Sequence, residues 1–317
     1  MNTLISYDDI ALIPRHSTLS SRSDANTFVE LCGYKFNLPI VPSNMLDVIS
    51  FDNARFLSEN GYFYIMHRFD GATRKFADFI KTHHLSMSSI SIGVNKESRD
   101  DLDYVNKVLD KIDWICIDVA HGDHANVGDM LKHIFSIYSE KYRPKIIAGN
   151  IATPDGYKYL ADNGADVIKC GIGQGSICTT RYKTGFYIPT AYAIWDCVTN
   201  GDRDIPIIAD GGARHFGDIA KALVLGADMV MSGRWFAECM DSPAKIEHGR
   251  KIYRGSTSYE AKGHNNHIEG QTLEIDKGCT YPERLEEITQ SLRSSISYAG
   301  GKDLSIFKST KWAFVRQ

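Results

Sequence analysis
The sequence predicts an α/β fold, one (β/α)8 barrel of TIM type over residues 1–317, from three observations. Eight short apolar runs recur along the chain, helix-like sequence separates most of them, and one pattern of helix cap, strand and glycine turn appears twice.

The eight runs are "LPIVPSNM" (38–45), "GYFYIMHRF" (61–69), "SISIGV" (89–94), "WICIDVAHG" (114–122), "KIIAGNIAT" (145–153), "DVIKCGIGQG" (166–175), "IPIIADGGAR" (205–214) and "DMVMSGRWFAE" (228–238). Continuous apolar runs of this length suit strands buried on both faces, as in a parallel sheet. Helix-like stretches between them include "FDNARFLSEN" (51–60), "SRDDLDYVNKVLDKI" (98–112) and "FGDIAKALVLG" (216–226). The repeat pairs "NGADVIKCG" (163–171) with "LGADMVMSG" (225–233), each reading as helix cap, strand and closing turn.

Two stretches exceed what turns require: a long catalytic loop at 171–204, after strand six, and a flap at 239–280, after strand eight. Long loops on the C-terminal face of a barrel carry function. The chain closes with "YPERLEEITQSLRSSISYAGG" (281–301), where Leu285, Ile288, Leu292 and Ile296 fall at helical spacing behind Pro282 and before Gly300. No linker or shift of composition marks a second domain.

Apolar residues make up 43% and charged residues 24%, ordinary globular usage, and the net charge of −3 shows no polybasic excess. Nucleic acid is therefore not expected as a main partner. No apolar run reaches the roughly 18 to 20 residues of a membrane helix, and the acidic start "MNTLISYDDIALIP" is unlike a signal peptide, so a cytoplasmic protein is expected, with no membrane partner. The 7 cysteines are odd in number and lack CxxC spacing, which argues against a disulfide framework or a zinc site.

Chemistry-bearing residues concentrate in "KCGIGQGSICTTRYKTGF" (169–186). Glycines at 171, 173 and 175 let the backbone turn sharply and approach a ligand, presenting N–H groups and the Ser176 hydroxyl to an anion. Cys178 follows on a loop, where a thiol becomes nucleophilic if neighbouring donors or cations lower its pKa. On spacing alone, a glycine turn with an incidental cysteine is the favoured reading. Asp210 ends the seventh run ahead of Gly211 and Gly212; it can accept two ribose hydroxyl bonds, or merely cap the next helix. Gly233 and Arg234 follow the eighth run, where a phosphate site is expected, and Arg234 can reach that phosphate or pair with a surface acid. No GxGxxG follows a strand, so a dinucleotide would have to bind on the barrel face.

The segment "GIGQGSICTTR" resembles the catalytic loop of the IMP dehydrogenase/GMP reductase family. The segments "YDDIALIPRHSTLSSRSD", "GYFYIMHRF", "IDVAHG", "AGN", "IIADGGAR" and "SSISYAGGKDL" are similar to family segments in the family's order, so the resemblance covers nearly the whole chain. It implies that Cys178 attacks C2 of a purine nucleotide, that Asp210 holds the ribose 2′- and 3′-hydroxyls, and that Ser176, Gly211, Gly212, Gly233, Arg234 and Ser256 belong to the substrate site. It implies a nicotinamide stacked on the purine near Asp118, Ala120, His121, Gly122, His67 and Arg68, although strand-end histidines often only satisfy backbone groups. A monovalent cation such as K+ at Gly171 and Gly173, and a homotetramer, are also implied.

Within the family the chain is closer to the reductase branch. Only about twenty residues, "DGATRKFADFIKTHHLSMSS", separate runs two and three, leaving no room for the CBS modules that dehydrogenases usually carry there. Residues 255–280 of the flap lack the dehydrogenase Arg-Tyr pair and include "HNNHIEGQTLEI", similar to the reductase flap whose Glu, with a Thr beside the nucleophile, handles the proton for departing ammonia. Those residues are Glu269 and Thr180; without the resemblance Glu269 reads as a solvated loop carboxylate. The implied reaction is NADPH-dependent reductive deamination of GMP to IMP. A dehydrogenase without CBS modules, a reductase for a variant guanine nucleotide, and a non-catalytic nucleotide-binding barrel are the alternatives. "SNMLD" (43–47), Tyr187 and Thr190 in "GFYIPT", and Ser256 in "YRGSTSYE" depart from the commoner pattern near the expected base pocket.

Overall fold
The computed structural model describes residues 3–202, 204–258 and 268–315. The chain begins with β1 (Ile10–Leu12), which pairs with the last strand, β14 (Trp312–Phe314), and with a hairpin of β2 (Val29–Leu31) and β3 (Tyr34–Phe36). The barrel strands are β4 (Ile40–Pro42), β5 (Ser89–Ile92), β6 (Trp114–Asp118), β7 (Lys145–Ile151), β8 (Val167–Cys170), β9 (Ile207–Asp210) and β10 (Met229–Ser232). They form one curled parallel sheet in the order β4-β10-β9-β8-β7-β6-β5, ringed by helices, an architecture of the TIM-barrel kind.

Seven of the eight expected strands therefore lie in the sheet. The run 61–69 is the exception: it makes a single parallel bridge, Met66 to Ile90. Side-chain hydroxyls bond to backbone carbonyls beside that bridge. The Ser91 hydroxyl donates to the Met66 carbonyl at 2.6 Å, and the Tyr64 hydroxyl donates to the Met87 carbonyl at 2.7 Å. Phe63, Tyr64, Ile65 and Met66 are nonetheless buried, as their apolar character requires.

The strands are buried on both faces. Ile146, Ile147, Ile168, Ile207 and Ile208 are at most 1% exposed, and each such side chain stabilises the barrel by about 1.5 to 3 kcal/mol relative to its exposed state. The hairpin covers the N-terminal strand ends, with Tyr34 and Phe63 packing on Trp114 at centroid distances of 5.2 and 5.0 Å.

The Gly-Ala-Asp repeat has a physical basis. Gly164 and Gly226 take positive φ, +93° and +108°, which only glycine adopts without strain. The aspartate that follows substitutes for a rung of the sheet: Asp166 accepts from the Ile146 amide and Asp228 from the Ile207 amide, both at 2.9 Å. Asp113 does the same for Ser88 at 2.9 Å ahead of β6.

The expected flap is an antiparallel ribbon of β11 (Ile246–Glu247), β12 (Arg250–Arg254) and β13 (Thr272–Ile275); flap residues 259–267 lie outside the described residues. The closing helix Tyr281–Tyr298 starts at a capping box of Thr280 and Glu283 and buries Leu285, Ile288, Leu292 and Ile296 as the spacing requires. Among the described residues no helix is long and apolar enough to cross a membrane.

Candidate active site
The C-terminal strand ends, the loop after β8 and the flap enclose a cavity of about 1020 Å³. Ser176, Cys178, Asp210, Gly211, Gly212, Gly233, Arg234, Ser256 and Glu269 all line it. Strands β8, β9 and β10 deliver these residues from below, and the flap brings Ser256 and Glu269 from above.

Cys178 sits at a tight turn, its amide donating to the Gly175 carbonyl at 2.9 Å. Its thiol donates to Thr180 Oγ1 at 3.2 Å, and Thr180 Oγ1 donates to Glu269 Oε2 at 2.6 Å. The backbone enforces this meeting of residues 89 positions apart. The Thr179 amide donates to the Glu269 carbonyl at 2.7 Å, the Gln271 amide donates to the Ile177 carbonyl at 3.0 Å, and Cys178 forms an antiparallel bridge with Gly270. The loop after β8 is thus bound by its backbone to the flap beside β13. Glu269 is no free loop carboxylate.

Beneath this relay lies a buried polar cluster that sequence reasoning did not single out. Lys169, 3% exposed on β8, donates to Asp118 Oδ1 at 2.9 Å, to Asp210 Oδ2 at 3.0 Å and to Asn150 Oδ1. Asn150 donates from Nδ2 to Asp210 Oδ2 at 2.8 Å and to the Gly171 carbonyl at 2.7 Å. Burial opposes the charged form of Lys169, but Asp118 and Asp210 hold its pKa above the ordinary lysine value. Burial likewise opposes ionisation of Asp118, and Lys169 with Arg68 outweighs it, keeping that carboxyl below its usual range. Asp210 Oδ1 accepts no hydrogen bond from another described residue, which leaves one carboxylate oxygen for a ligand. The signal was present in the sequence as a lysine inside an otherwise apolar strand.

At Gly171 the close approach comes from the protein itself. A Cβ there would lie 1.9 Å from the Asp210 carbonyl oxygen, so the close packing of β8 on β9 requires glycine at this position. Gly233 is similarly held, 2.1 Å from Cβ position to Tyr253 Oη, and Tyr253 lines the cavity beside it. Arg234 pairs with Glu238 at 2.9 Å, and it also lines the cavity. Arg284 faces the same Glu238 at 3.6 Å.

The six residues expected at a nicotinamide do not line the main cavity. Asp118, at the end of β6, joins it through Lys169, and Arg68 Nε lies 3.9 Å from Asp118 Oδ2. His67 is 8% exposed, burial pushes its pKa down to about 4, and its Nδ1 has no hydrogen-bond partner among the described residues. Ala120 and His121 are exposed just beyond β6, and Gly122 is buried against the Gly149 backbone.

A family model described as the IMP dehydrogenase / GMP reductase domain matches residues 4–317. The chain belongs to this family. It is 43% identical over 319 residues to a GMP reductase of Oenococcus oeni, covering 98% of this chain and 96% of that protein. It is 42% identical over 318 residues to a GMP reductase of Helicobacter pylori, covering 98% and 95%, and 40% identical over 328 residues to one of Shouchella clausii, covering 100% and 97%. Membership of the IMP dehydrogenase/GMP reductase family agrees with the resemblance read from the loop 171–181. The parts of the site that the resemblance did not supply are Lys169, Tyr253 and Arg284, along with the backbone pairing that seats Glu269.

Proposed function
We propose that this chain catalyses the reductive deamination of GMP by NADPH, giving IMP, ammonia and NADP+ through a covalent adduct on Cys178. The observation that carries the proposal is the continuous hydrogen-bond line from the Cys178 thiol through Thr180 to Glu269. Along that line the thiol proton passes to Thr180 while the Thr180 proton passes to Glu269, leaving a thiolate to add at C2 of the purine. Glu269, now protonated, returns a proton through Thr180 to the 2-amino group, the C2–N bond breaks and ammonia departs. The resulting thioimidate on Cys178 has lost its amine and needs two electrons. NADPH supplies the hydride to C2 when bound. The C–S bond then breaks, the thiolate is regenerated and IMP leaves.

The remaining residues bind and orient. Asp210, held by Lys169 and Asn150, offers its free oxygen to the ribose hydroxyls. Gly211, Gly212, Gly233 and Ser176 present backbone and hydroxyl donors to the phosphate, and Ser256 faces the base. For the cofactor, the residues present fit a polar, partly anionic group. His67 Nδ1 and Arg68 Nε are buried with no hydrogen-bond partner among the described residues, and Asp118 is fixed in place beside them. His67, Arg68, Asp118, Ala120, His121 and Gly122 would hold it. A K+ ion at Gly171 and Gly173, a homotetramer and a cytoplasmic location belong to the same reading and rest on the family resemblance.

Absorbance near 340 nm tests it: protein, GMP and NADPH should consume NADPH and release ammonia. Production of reduced cofactor from IMP and NAD+ instead would make the chain a dehydrogenase, and silence in both assays would leave a nucleotide-binding barrel.

A further inference from the structure
Asp47, in the "SNMLD" segment that departs from the commoner family pattern, is a carboxylate 1% exposed in the loop after β4. That loop is rigid. The Val48 and Ile49 amides donate back to the Met45 carbonyl at 3.0 and 3.2 Å, and the Val48 carbonyl accepts from the Tyr281 hydroxyl of the closing helix. Among the described residues, the hydrogen bonds of Asp47 go to one flap residue, Arg254. Its Oδ2 accepts from the Arg254 backbone amide and from Nε, each at 2.8 Å, and its Oδ1 accepts from Nη2. A bidentate pair of this kind fixes orientation as well as distance.

Arg254 is the last residue of β12 and pairs with Thr272 on β13. From there the backbone leads directly to the relay. The Gly255 amide donates to the Gln271 carbonyl at 3.0 Å, Gln271 donates to Ile177, and Thr179 donates to Glu269. We propose that Asp47 is a positioning residue: by gripping Arg254 it sets the register of the flap ribbon so that Glu269 reaches Thr180. A slip of one residue would move the ribbon by about 3.4 Å and turn each side chain to the opposite face, whereas the Thr180–Glu269 bond is only 2.6 Å long. An unpaired Asp47 would draw water and loosen the ribbon from the loop beneath it.

The inference rests on the reading of Glu269 as the acid for departing ammonia. Asp47→Ala should slow adduct formation on Cys178 from GMP by about tenfold or more, the lower end of what loss of a general acid costs. Reduction by NADPH of the adduct formed beforehand from 2-chloro-IMP should stay within about twofold, because that step draws neither on removal of the thiol proton nor on a proton for a leaving group. Adding Asp47→Ala to Glu269→Gln should slow the GMP step no further. Equal slowing of adduct formation and adduct reduction, multiplied effects in the double variant, or an unchanged GMP step would overturn the proposal. If Asp47→Ala does not fold, Arg254→Lys, which keeps the charge and loses the fork, takes its place with the same expectations. Amide exchange of Thr179 and Gln271 reports on the latch even in a protein inert toward GMP. Faster exchange in the variant supports it, and unchanged exchange contradicts it whatever becomes of the functional reading.

Discussion
Lys169 holds Asp118 and Asp210 on a single ammonium group, 2.9 Å from one carboxylate and 3.0 Å from the other. One buried cation thereby fixes a residue assigned to the nucleotide and a residue assigned to the cofactor. Lys169→Met should leave two carboxylates short of their partner and destabilise the fold by about 3 to 5 kcal/mol. Urea unfolding measures this. A loss below about 1 kcal/mol would show that the carboxylates find other partners.

Cys178→Ala should abolish turnover and leave nucleotide affinity within about tenfold, because the sulfur does covalent chemistry while ribose and phosphate contacts supply most of the binding. Calorimetric titration with GMP beside a 340 nm assay separates the two effects. A variant that keeps even about a tenth of turnover would remove Cys178 as nucleophile.

Asp210→Ala should act in the opposite sense, weakening GMP by roughly 1.5 to 3 kcal/mol through lost charge-assisted hydrogen bonds. Unchanged affinity would place the ribose elsewhere.

His67 gives the protein a pH dependence of definite sign. Its folded pKa of about 4 lies below the 6.5 of the unfolded chain, so between these values the unfolded state binds a proton that the native state refuses. Stability from this residue is complete above pH 6.5 and is lost as pH falls toward 4, on the order of 3 kcal/mol in all. Unfolding curves of wild type and His67→Gln at pH 7, 5.5 and 4 should converge by that amount at the acid end. Parallel curves would contradict it.

Strand order and the closing helix were legible in the sequence because each barrel strand is apolar on both faces and Leu285, Ile288, Leu292 and Ile296 repeat at helical spacing. The run 61–69 has the same composition, yet it makes only one bridge, Met66 to Ile90, a difference that composition does not encode. In the site, Cys178 and Thr180 are near neighbours and open to inspection. The pairing of Asp47 with Arg254 spans 207 positions and exists only once β4 and the flap are folded together. Lys169 could have been found as the one charge inside an apolar strand, but the glycine run next to it drew attention to ligand contact.

The central claim is that Glu269, through Thr180, protonates the departing ammonia, and Glu269→Gln tests it most directly in two single-turnover reactions. Formation of the Cys178 adduct from GMP should slow by about 10² to 10⁴, the range for loss of a general acid. Reduction by NADPH of the same adduct, formed beforehand from 2-chloro-IMP, should run near the wild-type rate, since that step needs alignment rather than a proton on a leaving group. Equal slowing of both reactions would reduce Glu269 to a residue that orders the flap, and no slowing of either would contradict the account outright.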